Sequence, residues 1–287
     1  MNSELTFLNN IKEYYSDSTD LMKRINVHKN FSKIRVMWDA WVLDKLPNEE
    51  NINKVLDLGC GEGRFIKYLL QKSIGNYYSG YDLSKSNIQT ASEQTIENKE
   101  KVKYEVADVE VIDYESNSYD LIMCNHMLWH IKDKEKFLKR LSNSMTLQGV
   151  FIATTNSSDY MHQLYDLHFN FMKSLKFPEY TTGNPERCTG FNLEEGESVL
   201  SKYFSNVTGY TLDNELLFES PEPFLDYYLI YLKSQIYLYK DIPVNMWEKL
   251  FKSVKEYVIN EIRENKIFKV QTKSGMFIGN KNINSAK

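Results

Sequence analysis

Three carboxylates follow three short apolar segments of this 287-residue sequence, each at the point where the apolar segment ends. They are Asp57 in VLDLG, Asp82 in GYDLS and Asp108 in VADVE. Next to the first acid, Gly59, Gly61 and Gly63 alternate with other residues, and glycines let the main chain approach a ligand closely. Acids in and around such a loop would repel a phosphate, so the pattern favours a ligand that carries positive charge.

Strand-like and helix-like segments alternate around these residues and indicate how they are positioned. Apolar, β-branched segments predict strands at 52–58, 77–82, 102–108, 118–125 and 149–155. Apolar residues at helical spacing follow the glycines and recur at 133–145, and Ser84 is expected to cap the helix after the second strand. This alternation predicts a parallel, doubly wound sheet, in which ligands bind beyond the carboxyl ends of the strands.

Composition and charge argue against several classes of function. Thirty-five basic and 39 acidic residues give a net charge of −4, which provides no basic surface for nucleic acid or an anionic membrane. Cys60, Cys124 and Cys188 are too scattered for a disulfide framework or a zinc site. The N-terminus lacks the pattern of a signal peptide, and no segment is apolar enough to span a membrane. We therefore expect a soluble, cytoplasmic protein with no metal site.

Four segments, in order, resemble the motifs of one enzyme family. VLDLGCGEG, GYDLS, ADVE and YDLIMCNHMLWHIKD look like the successive motifs of the class I S-adenosylmethionine-dependent methyltransferases. The resemblance covers roughly residues 52–156 and differs from the G-x-G-x-x-G of dinucleotide enzymes. It implies a Rossmann-like α/β fold whose seven strands lie in the order 3-2-1-4-5-7-6. The cofactor would be S-adenosylmethionine and the product S-adenosylhomocysteine.

The resemblance also assigns cofactor-binding roles. The glycines would lie against the methionine portion and the sugar, Asp82 would bind the ribose hydroxyls, and Leu83 would lie against the adenine ring. Asp108 would accept from the adenine amino group, with Val109 supplying a backbone contact. Asp57 would support the amino acid end. The predicted cofactor-binding residues are Asp57, Gly59, Gly61, Gly63, Asp82, Leu83, Asp108, Val109 and Asn125. The Pro-Gly-Gly turn that many relatives have before the fifth strand is replaced by TLQGV, which retains only Gly149.

Two histidines after the fourth strand are the predicted catalytic residues. His130 resembles a histidine that helps to deprotonate the substrate in many small-molecule methyltransferases, and histidine is suited to this near neutral pH. The alternative is that His130 only hydrogen-bonds the loop or packs under the cofactor. His126 is expected to line the substrate site or to have a structural role. A proton acceptor is needed only when the methyl acceptor loses a proton.

The remaining segments predict helices that are extra to the minimal fold and would form a lid over a small molecule. The predicted domains are an N-terminal lid (1–45), the cofactor-binding core (46–156), a helical insertion (157–190), the continued core (191–220), a second insertion (221–265), and the last strand and tail (266–287). Aromatic residues are concentrated in the lid segments, where they form either a pocket or the lid's own core. The predicted substrate-binding residues are Tyr15, Arg24, His28, Trp38 and Tyr165.

Taken together, these features predict a methyltransferase that modifies oxygen or nitrogen of a small molecule, by in-line displacement. The alternatives are a protein methyltransferase and a cofactor-binding protein without methyl transfer. We expect no nucleic acid or membrane partner, and a monomer or homodimer. The lid segments contain no motif that names the methyl acceptor.

Overall fold

The structure, a computed structural model, describes residues 19–181 and 190–281. The described residues form two compact units. The sheet unit comprises 36–158, 190–212 and 274–281, and the helical unit comprises 19–35, 159–181 and 213–273.

Seven strands form one sheet in the order β3-β2-β1-β4-β5-β7-β6, which confirms the predicted topology. Strands β1 to β5 pair in parallel, and β7 lies antiparallel to β5. The strands are β1 (Lys54–Leu58), β2 (Tyr77–Asp82), β3 (Val102–Val106), β4 (Tyr119–Asn125), β5 (Met145–Asn156), β6 (Phe204–Phe218) and β7 (Phe268–Lys281). Because β3 ends at Val106 and not at residue 108 as predicted, Asp108 lies in the loop that follows the strand.

Both faces of the central sheet are buried, which explains the nearly continuous apolar character of its strands. Alternate residues contribute to two separate apolar clusters: Leu56 and Ile122 belong to one, and Val55, Leu121 and Ile152 to the other. All five side chains are fully buried. Strand ends are therefore the places where polar side chains of these strands can meet a ligand.

The helices described in the structure alternate with the strands and then form a second group. They are α1 (Thr19–Phe31), α2 (Trp38–Leu43), α3 (Arg64–Gln71), α4 (Lys85–Gln94), α5 (Lys134–Ser144), α6 (His162–Ser174), α7 (Gly196–Leu200), α8 (Pro221–Leu238) and α9 (Val244–Asn265). Ser84 caps α4 as predicted, because its hydroxyl accepts a hydrogen bond from the Asn87 N–H at 3.3 Å.

The fifth strand begins earlier than the sequence predicted. It starts at Met145, and its register against β4 shifts between Tyr119 and Leu121. A Cβ atom on Gly149 would lie 3.0 Å from the carbonyl oxygens of Thr146 and Tyr119. Gly149 therefore lies within the strand, at an irregularity where backbones approach closely, and the predicted turn before the strand is wrong.

The helical unit contains α1, α6, α8 and α9. Its core is rich in aromatic residues, with Phe224, Tyr228 and Trp247 buried together. The predicted first boundary, at residue 45, falls inside the sheet unit because Val42 and Leu43 are buried in one of the two sheet clusters. The role of the helical unit as a lid stays a prediction.

Candidate functional site

The loop after β1 has the backbone conformation that its glycines permit. Gly59, Gly61 and Gly63 have φ values of +68°, +53° and +75°, in the left-handed region that favours glycine. A Cβ on Gly63 would collide with the Tyr104 hydroxyl, and one on Gly59 would lie 3.0 Å from Met127 Cβ. A Cβ on Gly61 would meet nothing within 4 Å. The loop is thus packed at both ends and faces open space at its centre.

The carboxylate of Asp82 connects this loop to the end of β2. Its Oδ2 accepts a hydrogen bond from the Gly61 N–H at 2.9 Å. Its Oδ1 accepts from the Ser84 N–H at 2.8 Å and from the Asn87 amide at 3.3 Å. Since a carboxylate has about four acceptor positions, Asp82 is held in a fixed orientation and can still accept a hydrogen bond from a ligand.

Asp57 lies near the end of β1 and Asn125 ends the neighbouring strand β4, and both side chains carry unsatisfied polar groups. Asp57 is 0% exposed, and neither of its carboxylate oxygens has a hydrogen-bond partner among the described residues. The same is true of the Asn125 amide nitrogen and oxygen, within residues 19–181 and 190–281. Burial raises the pKa of Asp57 to about 7, the nearby Asn125 amide opposes this rise, and the Asp82 charge adds to it. Buried polar groups without partners commonly meet a ligand or water.

Beyond the loop, the predicted adenine-contacting residues differ in exposure. Leu83, which directly follows β2, is 73% exposed. Asp108 is exposed and accepts a hydrogen bond from the Glu110 N–H at 2.9 Å, while Val109 is buried. An exposed apolar side chain and an exposed carboxylate therefore follow the ends of adjacent strands, and their contacts with adenine stay a prediction.

His126 follows β4 and lies among aromatic rings of the sheet unit. It is a non-glycine residue with φ of +51°, and its N–H donates to the carbonyl oxygen and the hydroxyl of Thr154, at 3.1 and 3.0 Å. The centroid of its ring lies 5.4 Å from that of Trp38 and 5.6 Å from that of Trp129. Trp38 in turn stacks on Trp41 at 5.1 Å. The structure thus brings together two of the predicted residues, His126 and Trp38.

His130 ends a short 3-10 helix, Leu128–His130, and its side chain is exposed. Its Nε2 lies 2.7 Å from the indole nitrogen of Trp129. Trp129 was not among the predicted site residues, although it stands between the two histidines in NHMLWHIKD. Its position beside them was the signal that could have identified it.

The other predicted substrate-binding residues lie in the helical unit. His28 is hydrogen-bonded to the Tyr160 hydroxyl at 3.0 Å, and its ring meets Tyr227 edge to face at 5.9 Å. Burial and, to a smaller extent, the charge of Arg24 together lower the pKa of His28 to about 4. Burial also raises the pKa of Tyr227 to about 12, an effect that Arg24 opposes and Tyr165 increases.

Arg24, His28 and Tyr165 therefore belong to one cluster, whereas Trp38 belongs to the sheet unit. Tyr15 lies outside the described residues.

Two further properties concern the whole described part of the chain. None of its helices combines the length and the apolar character that crossing a bilayer requires. No group of three or more His, Cys, Asp or Glu side chains in residues 19–181 and 190–281 is arranged to hold a metal ion.

Comparison with known proteins identifies the sheet unit. Residues 56–153 match a family described as "Methyltransferase domain". Together with the strand order, this match defines the class: the chain carries a class I S-adenosylmethionine-dependent methyltransferase domain, as its motifs predicted. The matched residues include the glycine loop, Asp57, Asp82 and both predicted catalytic histidines.

Individual relatives are similar to this chain over the same region. The ubiquinone biosynthesis O-methyltransferase of Pelagibacter ubique (strain HTCC1062) is 33% identical over 106 residues, covering 37% of this chain and 43% of that protein. The human mitochondrial arginine-hydroxylase NDUFAF5 is 27% identical over 114 residues, covering 40% of this chain and 32% of that protein. The chain thus spans less than half the length of the curated relatives it matches.

A solved structure extends the similarity in fold to most of the chain. Phosphoethanolamine N-methyltransferase 2 of Haemonchus contortus, in complex with phosphomonomethylethanolamine and S-adenosylhomocysteine, has a TM-score of 0.54 and 18% identity. The alignment covers 93% of this chain and 58% of that one. At this identity the likeness concerns the fold alone.

Proposed function

We propose that this protein binds S-adenosylmethionine and transfers its methyl group to oxygen or nitrogen of a small molecule. The observation that carries the proposal is the glycine loop, which is open at Gly61, next to the oriented carboxylate of Asp82 and the unsatisfied side chains of Asp57 and Asn125. These groups fit a ligand that has hydroxyl donors and a positive charge. The family to which the domain belongs uses this cofactor.

In this proposal each strand end contacts one part of the cofactor. Asp82 accepts hydrogen bonds from the ribose hydroxyls, using the capacity that remains after its contacts with Gly61 and Ser84. Asp57 and Asn125 bind the amino acid end, which supplies the partners that their side chains lack. Leu83, Asp108 and Val109 hold the adenine. The glycine loop lies along the methionine portion and the sugar.

The buried Asp57 explains why a cation suits this site better than a phosphate. A carboxyl that is 0% exposed is held in its neutral form up to about pH 7, because desolvation disfavours the charge. A cationic ligand would favour the ionised form of Asp57, whereas a phosphate would disfavour it and would meet like charge at Asp82. Ligand binding at this site should therefore involve the release of a proton from Asp57.

For the methyl transfer, the protein mainly has to align the acceptor with the methyl group and exclude water. The bound cofactor supplies a methyl group on a positively charged sulfur, and the acceptor must approach it in line. A hydroxyl or ammonium acceptor must also lose a proton, and the sequence predicted His130 for this step, with a lining or structural role for His126. His126 has the more constrained position of the two, because its N–H is hydrogen-bonded to Thr154 and its ring lies beside Trp38 and Trp129.

The proposed acceptor is a small molecule. Support comes from the O-methyltransferase name of a relative that is 33% identical. The name of the human relative, an arginine-hydroxylase, favours one specific alternative: a domain of this family whose cofactor site serves a reaction other than methyl transfer.

Two measurements test the proposal. Isothermal titration calorimetry with S-adenosylhomocysteine tests the cofactor site, with Asp113→Ala as a control variant because Asp113 is an exposed carboxylate outside the predicted site. Incubation of the protein with methyl-labelled S-adenosylmethionine and fractionated cell extract tests transfer. Label in small molecules supports the proposal, label in protein supports a protein methyltransferase, and binding without any transfer supports the non-transferring alternative.

A further inference from the structure

The side chain of His130 is engaged in a way that conflicts with its predicted role as a proton acceptor. The indole N–H of Trp129 can only donate a hydrogen bond. The nitrogen that lies 2.7 Å away, Nε2 of His130, must therefore be the acceptor of this hydrogen bond. In the neutral ring the remaining proton then resides on Nδ1. While this hydrogen bond persists, neutral His130 has no lone pair with which to take a proton from a methyl acceptor.

The same hydrogen bond fixes the ring that packs against His126. Trp129 lies 5.6 Å from the His126 ring at an angle of 54°, and Trp38 lies 5.4 Å from the same ring. The backbone of His126 is fixed as well, because its left-handed conformation is maintained by two hydrogen bonds to Thr154. Such a conformation in a non-glycine residue persists only where its surroundings impose it, and it is often found at functional sites.

We propose that His130 is a positioning residue that orients Trp129 against His126, and that it does not serve as the proton acceptor. His130 acts only through Trp129, as its hydrogen-bond acceptor. The consequence for turnover rests on the proposed methyl transfer, but the hydrogen bond and its effect on His126 do not. His130 then has the structural role that was the alternative to proton transfer, and the ring of His126 lies beside Trp38 and the oriented Trp129.

Nuclear magnetic resonance of the indole N–H groups tests the structural part. The sequence has four tryptophans, so four indole signals are expected, and Trp129→Phe assigns one of them. In His130→Gln the side-chain carbonyl can still accept the hydrogen bond, whereas in His130→Leu nothing can. We expect the Trp129 indole proton to exchange with solvent about tenfold faster in His130→Leu than in the wild type, and at a near wild-type rate in His130→Gln.

The Hε1 signal of His126 tests whether this positioning reaches the second histidine. The chemical shift of this signal should change in His130→Leu and in Trp129→Phe and should keep its wild-type value in His130→Gln. An indole exchange rate that is the same in the wild type and His130→Leu would overturn the proposal. So would a His126 signal that is unaffected by all three substitutions. If His130→Leu does not fold, Trp129→Phe and His130→Gln still provide the comparison.

Turnover separates a positioning residue from a proton acceptor. With labelled S-adenosylmethionine and cell extract as the source of acceptors, His130→Gln should retain at least half of the wild-type rate, because glutamine accepts the indole hydrogen bond but cannot remove a proton. A loss of about 100-fold or more in both His130→Gln and His130→Leu would assign the proton transfer to His130 and contradict the proposal. Failure of the wild type to bind S-adenosylhomocysteine would refute the proposed function, and the resonance experiments would remain valid.

Discussion

Replacing the buried carboxylate of Asp57 by an amide should stabilise the protein without ligand, in a pH-dependent manner. Asp57 is 0% exposed, and burial raises its pKa from 3.8 to about 7. The folded state therefore holds a proton that the unfolded chain releases near pH 3.8. The contribution of Asp57 to the free energy of unfolding is therefore largest below that pH, falls as the pH rises toward 7, and is constant above it.

The size of the effect follows from the shift in pKa. A change from 3.8 to about 7 corresponds to about 4 kcal/mol at pH 8, since each unit is worth about 1.4 kcal/mol. Asn has nearly the same shape as Asp and does not titrate. The cost of burying its amide is independent of pH, so it cancels when two pH values are compared. The stability of Asp57→Asn relative to wild type should rise by about 3 kcal/mol between pH 5 and pH 8.

Urea unfolding followed by tryptophan fluorescence measures this difference. Three of the four tryptophans, Trp38, Trp41 and Trp129, lie in the sheet unit together with Asp57, so fluorescence reports mainly on the relevant unit. Asp113→Asn, at an exposed carboxylate, is the matched control and should show no such trend. A relative stability of Asp57→Asn that does not change between pH 5 and pH 8 would show that Asp57 is ionised in the folded protein, and the reasoning would be refuted.

Three other predictions concern binding and stability. Asp82→Ala should weaken binding of S-adenosylhomocysteine at least tenfold in calorimetry, because it removes the hydroxyl acceptor and releases Gly61, and unchanged affinity would exclude Asp82 from the site. Gly63→Ala should lower the free energy of unfolding by more than Gly61→Ala in urea titrations. Both substitutions place a Cβ at a positive φ, but only the Cβ at residue 63 also collides with a neighbouring side chain, and equal losses would contradict this packing. Burial lowers the pKa of His168 from 6.5 to about 3, so its contribution to stability is full above pH 6.5 and falls by about 2 kcal/mol at pH 5. The urea midpoint of His168→Phe should therefore fall less than that of the wild type when the pH is lowered from 6.5 to 5. The same fall in both proteins would show that His168 does not cause this acid destabilisation.

The acids at the strand ends could be predicted from the sequence because they depend on local patterns, whereas the order of the strands followed from the resemblance of the four motifs to one enzyme family. Buried segments that end in Asp57 and Asp82, with alternating glycines between them, indicated the sheet and its ligand-binding edge. The start of β5 at Met145 could not be predicted in this way. It depends on pairing with β4 around a register shift, which is a non-local interaction.

The details of the candidate site were less accessible, since they depend on contacts between distant segments. The left-handed conformation of His126 is maintained by Thr154, and nothing in NHMLWHIKD indicates it. The division of the predicted substrate residues between two units likewise depends on packing: Trp38 stacks on Trp41, whereas His28 packs on Tyr160 and Tyr227. The hydrogen bond between Trp129 and His130 joins adjacent residues, but it depends on their side-chain rotamers.

The central claim is that the carboxyl ends of β1, β2 and β4 bind S-adenosylmethionine through Asp57, Asp82 and the glycine loop. Calorimetric titration of the folded wild-type protein with S-adenosylhomocysteine tests this claim most directly. We predict saturable binding of about one ligand per chain that is weakened in Asp82→Ala and retained in Asp113→Ala. The absence of binding to the folded wild type, or equal affinity in all three proteins, would contradict the account.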